Sequence, residues 1–393
     1  MLQLVKNGKW AYLFAALVSL VALAAVACGG DDDDGSKTPA ATGTTAATAT
    51  TAAGSPTPAG IAANIGKDDK AELTGAGATF PAPIYISWFD YYKSDIATGV
   101  KINYQSIGSG GGIKQHTEKT VDFGASDAPM SDAQLTAAPG TQHVPMVMGS
   151  VVVTFNISGV DNLKFDGPTL AKIFLGEIKK WDDAAITALN PDAKLPSADI
   201  QVAHRSDGSG TSFTFTDYLS KVSADWKTKV GTNSNPNWPA GLGGKGNEGV
   251  TTLVKQTPNS IGYVELAYAI ENKLTFADLK NKAGKFVTPS LEATSAAAAG
   301  VTFPEDYRIS LTDASGDATY PIVTATYLLV YKDMASCSKA IPLVHFMWWA
   351  FHAPEAASMA KELRYAPIPS GALPAIEKTL KSLKCEGKSI LPE

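Results

Sequence analysis

Three times in this chain an apolar or alternating run gives way to a glycine-rich turn and then to helical spacing, and this order restricts the fold more than any other feature. In residues 73–92, LTGAGATFPAPIYISWFDYY, a short strand meets a turn and then a helix opening near Pro81, with Trp88, Phe89 and Tyr92 on one side. Residues 101–115, KINYQSIGSGGGIKQ, repeat the order: an alternating strand, Gly108 to Gly112 as the turn with Ser109 at its tip, then a polar helix. The third unit, HRSDGSGTSF at 204–213, runs into the helically spaced TSFTFTDYL. Strand-like QHVPMVMGSVVVTFNI and helix-like TLAKIFLGEIKKWDDAAITAL continue the alternation, which calls for mixed α/β sheets covered by helices. Residues 61–393 exceed what one core usually supports, so two lobes are expected. The long apolar strands at 144–157 and 320–331 are the candidate crossovers. They place residues 69–147 with 320–393 in one lobe and residues 148–319 in the other.

The turns share a chemistry. Arg205 offers a planar fork of N–H donors, Ser209 and Thr211 add hydroxyls, and Gly208 and Gly210 let backbone amides approach a ligand. A helix start adds unpaired N–H groups and partial positive charge. Thr79 and Phe80 hold the corresponding place in the first unit and Ser109 in the second. One such turn could be a cap and nothing more; three of them fit converging walls of one anion site, in a cleft whose closure buries the ligand. Of the net charge of −5, residues 1–60 carry −1, so the folded part is mildly acidic and offers no footprint for nucleic acid or an anionic bilayer. An anion must therefore be held by Arg205 and local dipoles. The five histidines form no metal pair; His345 and His352 sit among aromatic residues in a packing helix. GLGGKGNEG lacks the spacing of a P-loop. His204, Asp207 and Ser209 have the residue types of a hydrolase triad, yet they fall within six residues, whereas working triads draw on separate elements.

Lys6 and Lys9 precede an apolar run at 11–27 with the charge order of a secretory signal, so export is expected. Residues 29–68, rich in Ala, Thr, Gly and Pro, cannot repay their ordering entropy and read as a tether, with Asp31 to Asp34 as solvated spacer charge. In an exported chain Cys337 and Cys385 have one possible pairing, with two buried free thiols as the alternative.

LTGAGATFPAP, IGSGGGIKQ, VDFGASDAPMSD, LGEIKKWDD, DGSGTSF, WPAGLGGKGNEGV and IGYVELAYA, in consistent order from about residue 71 to 331, together resemble the periplasmic phosphate-binding component of the bacterial ABC phosphate transporter. The resemblance implies a two-lobed, type II periplasmic-binding-protein-like α/β fold with mixed sheets, flanking helices and a two-strand hinge. It implies a cofactor-free, metal-free monomer that captures inorganic phosphate outside the cytoplasm and delivers it to an ABC permease. The phosphate ligands would be Thr79, the Phe80 amide, Ser109, Asp127, Arg205, Ser209, the Gly210 amide and Thr211, with Asp207 orienting Arg205. His204, where the family often has a second basic residue, and the extra glycine after Ser109 depart from the pattern. AVAC at 25–28 resembles a lipoprotein acylation site, which would make Cys28 a lipid anchor and residues 1–28 its signal, although Ala25 replaces the usual leucine. The competing reading from another class is a secreted phosphatase or phosphoesterase using Ser209 as nucleophile. A binder of a different tetrahedral oxyanion is the third, and it turns on Asp127. That residue is either a cap for a helix near Pro129 or the acceptor of a phosphate P–OH proton, which sulfate lacks.

Overall fold

The structure is a computed structural model that describes residues 65–392. The signal, the Cys28 acylation site and the tether through residue 64 lie outside the described residues. Residues 65–68, assigned to the tether by composition, form a turn in which Gly66 O accepts from Asp69 N at 2.9 Å and Ile65 O from the Tyr92 hydroxyl at 3.4 Å.

A nine-stranded mixed sheet carries the architecture. Its strands are β1 (Lys70–Gly77), β2 (Gly99–Ser106), β3 (Phe123–Ser126), β4 (Thr141–Asn156), β5 (Gln201–Arg205), β6 (Leu242–Gly244), β7 (Ser260–Glu265), β8 (Thr275–Phe276) and β9 (Val323–Tyr331). The order is β2-β1-β3-β9-β4-β7-β5-β6, with β8 pairing on β4. β1, β2 and β3 are mutually parallel, as are β7, β5 and β6, and the antiparallel strands β9 and β4 join these two groups. β4 is sixteen residues long and almost wholly buried, which is why it reads as a continuous apolar run rather than an alternating one. Up to Ser150 it pairs with β9, and from Val151 with β7. Its register against β9 shifts between Thr326 and Tyr327, where Tyr327 faces Pro145, a residue with no N–H for the ladder. The lobe boundary expected at 147/148 falls inside this strand.

The helices used below are α1 (Ala82–Tyr91), α2 (Ser109–Thr117), α3 (Gly210–Val222), α4 (Gly246–Gln256), α5 (Leu266–Glu271) and α6 (Cys337–His352). Phe346 and Trp349 of α6 lock onto Phe89 and Tyr92, with ring centroids 5.0 and 5.3 Å apart. His345 and His352 each face a different carboxylate, Asp69 at 2.7 Å and Glu377 at 3.1 Å, so this segment packs as its spacing suggested. Residues 169–189 do not make one helix. The chain breaks at Gly176, whose φ is +72°, and restarts at Ala184, where the Asp183 side chain caps by accepting from Ala185 N at 2.9 Å.

Cys337, the first residue of α6, is disulfide-bonded to Cys385, with the Cα atoms 5.1 Å apart and a sequence separation of 48. Closing a loop of that length removes about 4 kcal/mol of unfolded-state entropy on the chain-entropy account. Replacing both cysteines with serine is expected to lower the unfolding free energy by about 2 to 4 kcal/mol, read from the urea midpoint. An unchanged midpoint would show that the bridge leaves the unfolded ensemble unconstrained.

Candidate anion-binding site

The three strand–turn–helix units deliver their turns to one place. Thr79 and Phe80 precede α1, Ser109 opens α2, and Gly210 and Thr211 open α3, so three helix N-termini meet there. Thr79, Phe80, Ser109, Asp127, Arg205, Ser209 and Thr211 are each no more than 2% exposed. The glycines after Ser109 belong to the first turn of α2 and not to a loop before it, because the helix lies directly on the strands beneath. A Cβ at Gly112 would stand 2.5 Å from Gly77 Cα and 2.6 Å from Ala125 O.

Arg205 ends β5 and is held as a fork. Its Nε donates to Asp207 Oδ1 at 2.8 Å and its Nη2 to Asp207 Oδ2 at 2.5 Å, while Nη1 lies 3.3 Å from Thr211 Oγ1. Burial pushes the Asp207 carboxyl up, but the Arg205 guanidinium and the Gly246 N–H, 3.0 Å from Oδ1, outweigh it and hold it below the usual carboxylate value.

The hydroxyls are turned into donors by what surrounds them. Thr79 Oγ1 accepts from Asn247 N at 3.1 Å and Asn247 Nδ2 at 2.7 Å. Thr211 Oγ1 accepts from Asn247 Nδ2 at 3.2 Å as well as from Arg205, and Ser209 Oγ accepts from Ser212 N at 3.0 Å. With fixed N–H groups donating to them, twice at Thr79 and Thr211 and once at Ser209, these oxygens keep their own protons to give. The Phe80 N–H has no hydrogen-bond partner among the described residues.

Asn247 is the residue that sequence reasoning missed. It joins Thr79 to Thr211, and its Oδ1 accepts from Glu265 N at 2.9 Å. The available signal was an amide side chain just after Gly246, whose φ is +73°, at the start of α4.

Asp127 is the one carboxylate brought directly against the Ser109–Gly210 contact. Ser109 Oγ accepts from Gly210 N at 3.0 Å and from Asp127 N at 3.2 Å, and stands 3.5 Å from Asp127 Oδ2. Burial pushes the Asp127 carboxyl up to about 7, against the lowering effects of the Thr326 hydroxyl at 2.8 Å, the Arg205 charge and Ser109. It caps no helix: the next one, Asp132–Ala137, is capped by Ser131, which accepts from Gln134 N at 3.3 Å. A Cβ on Gly210 would lie 2.6 Å from both Asp127 and Ser109 Oγ, so only glycine fits. At the rim the backbones touch, Gly110 N donating to Gly208 O at 2.9 Å. His204 stays outside the cluster, bonded to Arg205 O and stacked on Trp238 at 4.9 Å.

Comparison with known proteins agrees with this picture. Residues 38–344 match a PBP superfamily domain. The phosphate-binding protein PstS of Xylella fastidiosa (strain 9a5c) is 45% identical over 310 residues, covering 78% of this chain and 84% of that protein. The chain belongs to the PstS family. PstS of Haemophilus influenzae is 46% identical over 316 residues, covering 79% and 92%, and PstS of Methanocaldococcus jannaschii 41% identical over 300 residues, covering 70% and 76%. Among solved structures, a high affinity periplasmic phosphate-binding protein bound with phosphate superposes with a TM-score of 0.64 at 21% identity, covering 78% and 93%. An ABC-type phosphate transport receptor from Vibrio cholerae does so with a TM-score of 0.50 at 15% identity, covering 75% and 99%. These superpositions establish the type II periplasmic-binding-protein fold that the motifs implied.

Removing the Asn247 amide takes one bond from each of the Thr79 and Thr211 hydroxyls and leaves the Glu265 N–H without its side-chain acceptor. Asn247→Ala is expected to lower unfolding free energy by about 1 to 3 kcal/mol in ligand-free protein. A denaturant midpoint equal to the parent's would mean that water replaces the amide at no cost.

Proposed function

We propose that this chain is an extracytoplasmic receptor that captures inorganic phosphate between two lobes, residues 69–147 with 320–393 and residues 148–319, and delivers it to an ABC permease. The observation that carries this reading is the polarity of the buried cluster: Arg205, the Phe80 N–H and the Thr79, Ser209 and Thr211 hydroxyls have protons to give, the Gly210 N–H is held by Ser109 Oγ, and Asp127 is the carboxylate not paired with Arg205. Both phosphate forms near neutral pH carry at least one P–OH, and Asp127 is suited to receive it. Sulfate brings no proton, so its oxygen would face carboxylate lone pairs with nothing between, at a cost of several kcal/mol. The names of the relatives above point to the same ligand.

Turnover is not favoured. Among the described residues no imidazole is hydrogen-bonded to Ser209, whose oxygen serves as the cap of α3, and the family consists of receptors rather than phosphatases.

Phosphate is expected to raise the melting temperature of the parent protein at submillimolar concentration, while sulfate at tens of millimolar does not. Affinity should weaken from parent to Arg205→Lys to Arg205→Ala, since lysine keeps the charge but loses the fork and alanine loses a charge-assisted contact of about 1.5 to 3 kcal/mol. Strong sulfate stabilisation, or equal phosphate affinity in all three proteins, would overturn the ligand or the role of Arg205.

Anchoring belongs to the same proposal. Acylation at Cys28 and a tether of 32 residues from Gly29 to Gly60 would hold the receptor about 30 Å r.m.s. from the membrane surface. In its host the parent should partition with membranes and Cys28→Ser should leave that fraction or persist as unprocessed precursor. Membrane partitioning untouched by Cys28→Ser would remove the lipid anchor from the account.

A further inference from the structure

The Thr79–Phe80 turn is held from outside by two tyrosines. Tyr268 of α5 donates to Thr79 O at 2.7 Å and lies 3.0 Å from Glu248 Oε1. The Tyr365 hydroxyl lies 2.7 Å from Phe80 O and 2.9 Å from Glu265 Oε2. A phenol has one proton and the Phe80 carbonyl can only accept, so the Tyr365 proton goes to Phe80. The Tyr365–Glu265 contact then needs a proton from the glutamate. Glu265 Oε2 also accepts from Ala267 N at 2.8 Å. An oxygen that accepts from one neighbour and donates to another is a hydroxyl, which makes Glu265 a neutral carboxylic acid.

The rest of the group agrees. Glu265 is 0% exposed, and its Oε1 has no hydrogen-bond partner among the described residues. A carbonyl oxygen bears that isolation at less cost than a carboxylate oxygen does. The titratable groups facing it are Tyr365, Tyr268 and Glu271, and none of the three supplies a positive charge; Arg364, next to Tyr365 in the chain, is exposed. Burial pushes the carboxyl well above its ordinary value, reinforced by Glu271 and opposed by the contact with Tyr365 and by the Ala267 and Tyr268 N–H groups.

We propose that Glu265 is a positioning residue for the ligand site: as a neutral acid it donates to Tyr365, Tyr365 donates to the Phe80 carbonyl, and this relay, with Tyr268 on the preceding carbonyl, aims the Phe80 N–H at the ligand. Thr79 C=O and Phe80 N–H are opposite ends of one trans peptide plane, so fixing the first directs the second. Tyr365 fixes the next plane and thereby the ψ of Phe80. An ionised Glu265 would compete for the Tyr365 proton and release that plane. The ligand named here is phosphate, so the functional half of the inference rests on the reading above.

Two measurements on the full chain test it. With side-chain carboxyls of glutamate labelled with carbon-13, the resonance lost in E265Q should keep the chemical shift of a protonated acid from pH 4 to pH 8 in ligand-free protein. A resonance titrating near the ordinary glutamate value of about 4.3 overturns the proposal. Should E265Q fail to fold, Tyr365→Phe identifies the resonance by its displacement. Phosphate affinity by calorimetry tests the relay. A glutamine cannot accept from Ala267 and donate to Tyr365 through one atom, so E265Q and Y365F are each expected to bind about tenfold more weakly. Because one acts through the other, the double variant should bind no more weakly than Y365F alone. Additive losses, or parent affinity in E265Q, overturn the relay. A parent protein that ignores phosphate would defeat the proposed function, while the resonance would still decide where the Glu265 proton resides.

Discussion

A guanidinium removed from water must bring its counter-charge with it, and the architecture around Arg205 follows from that requirement. Its side chain is 1% exposed, and breaking such a pair by deleting one partner leaves an uncompensated buried charge. Asp207 answers it with two oxygens in the plane of the fork, and the Gly246 N–H at the start of α4 steadies one of those oxygens. The residue after Gly246 is Asn247, which reaches Thr79 at the far side of the site. One ion pair thus fixes β5, α4 and the turn before α1 relative to each other.

Around that pair the direction of every proton matters more than the number of bonds. Hydroxyl groups are indifferent by nature, able to give or take. Here backbone and amide N–H groups occupy their accepting side, so the remaining freedom is to donate. Asp127 is the exception, a buried carboxylate, and in a dry site an acceptor facing an acceptor finds no water to mediate. The same logic extends to Glu265, where one atom must both take and give.

Much of this was legible in the chain because it is local. The Arg205–Thr211 turn gathers a guanidinium, the Ser209 and Thr211 hydroxyls and small residues within seven positions, and the order of strands, turns and helices announced an α/β sheet. Asp127 could not be assigned from chemistry without the resemblance, since a carboxylate beside an anion looks misplaced until the proton is counted. Asn247, Glu265 and Tyr365 escaped because their partners are remote: 168 residues separate Asn247 from Thr79, and 100 separate Tyr365 from Glu265. The glycines of α2 suggest a turn by intrinsic propensity, and the close backbone beneath the helix overrides it. The limits of β4 were set by pairing with β9 as far as Thr141, beyond the apolar run itself.

β4 also has a mechanical meaning. Between Ser150 and Val151 it passes from one neighbour to the other, with Val151 N still donating to Ile322 O at 2.9 Å, so the crossing between the two unlike groups of strands is narrow. Engineers call such a part a flexure: it permits rotation by elastic bending, with no sliding surfaces to wear or wet. A closing movement routed through it would leave the side chains packed on either side interdigitated as they are, and the work of motion would fall on a few backbone torsions. The remaining bond energy would then be concentrated at the rim and the ligand, where it reports on occupancy.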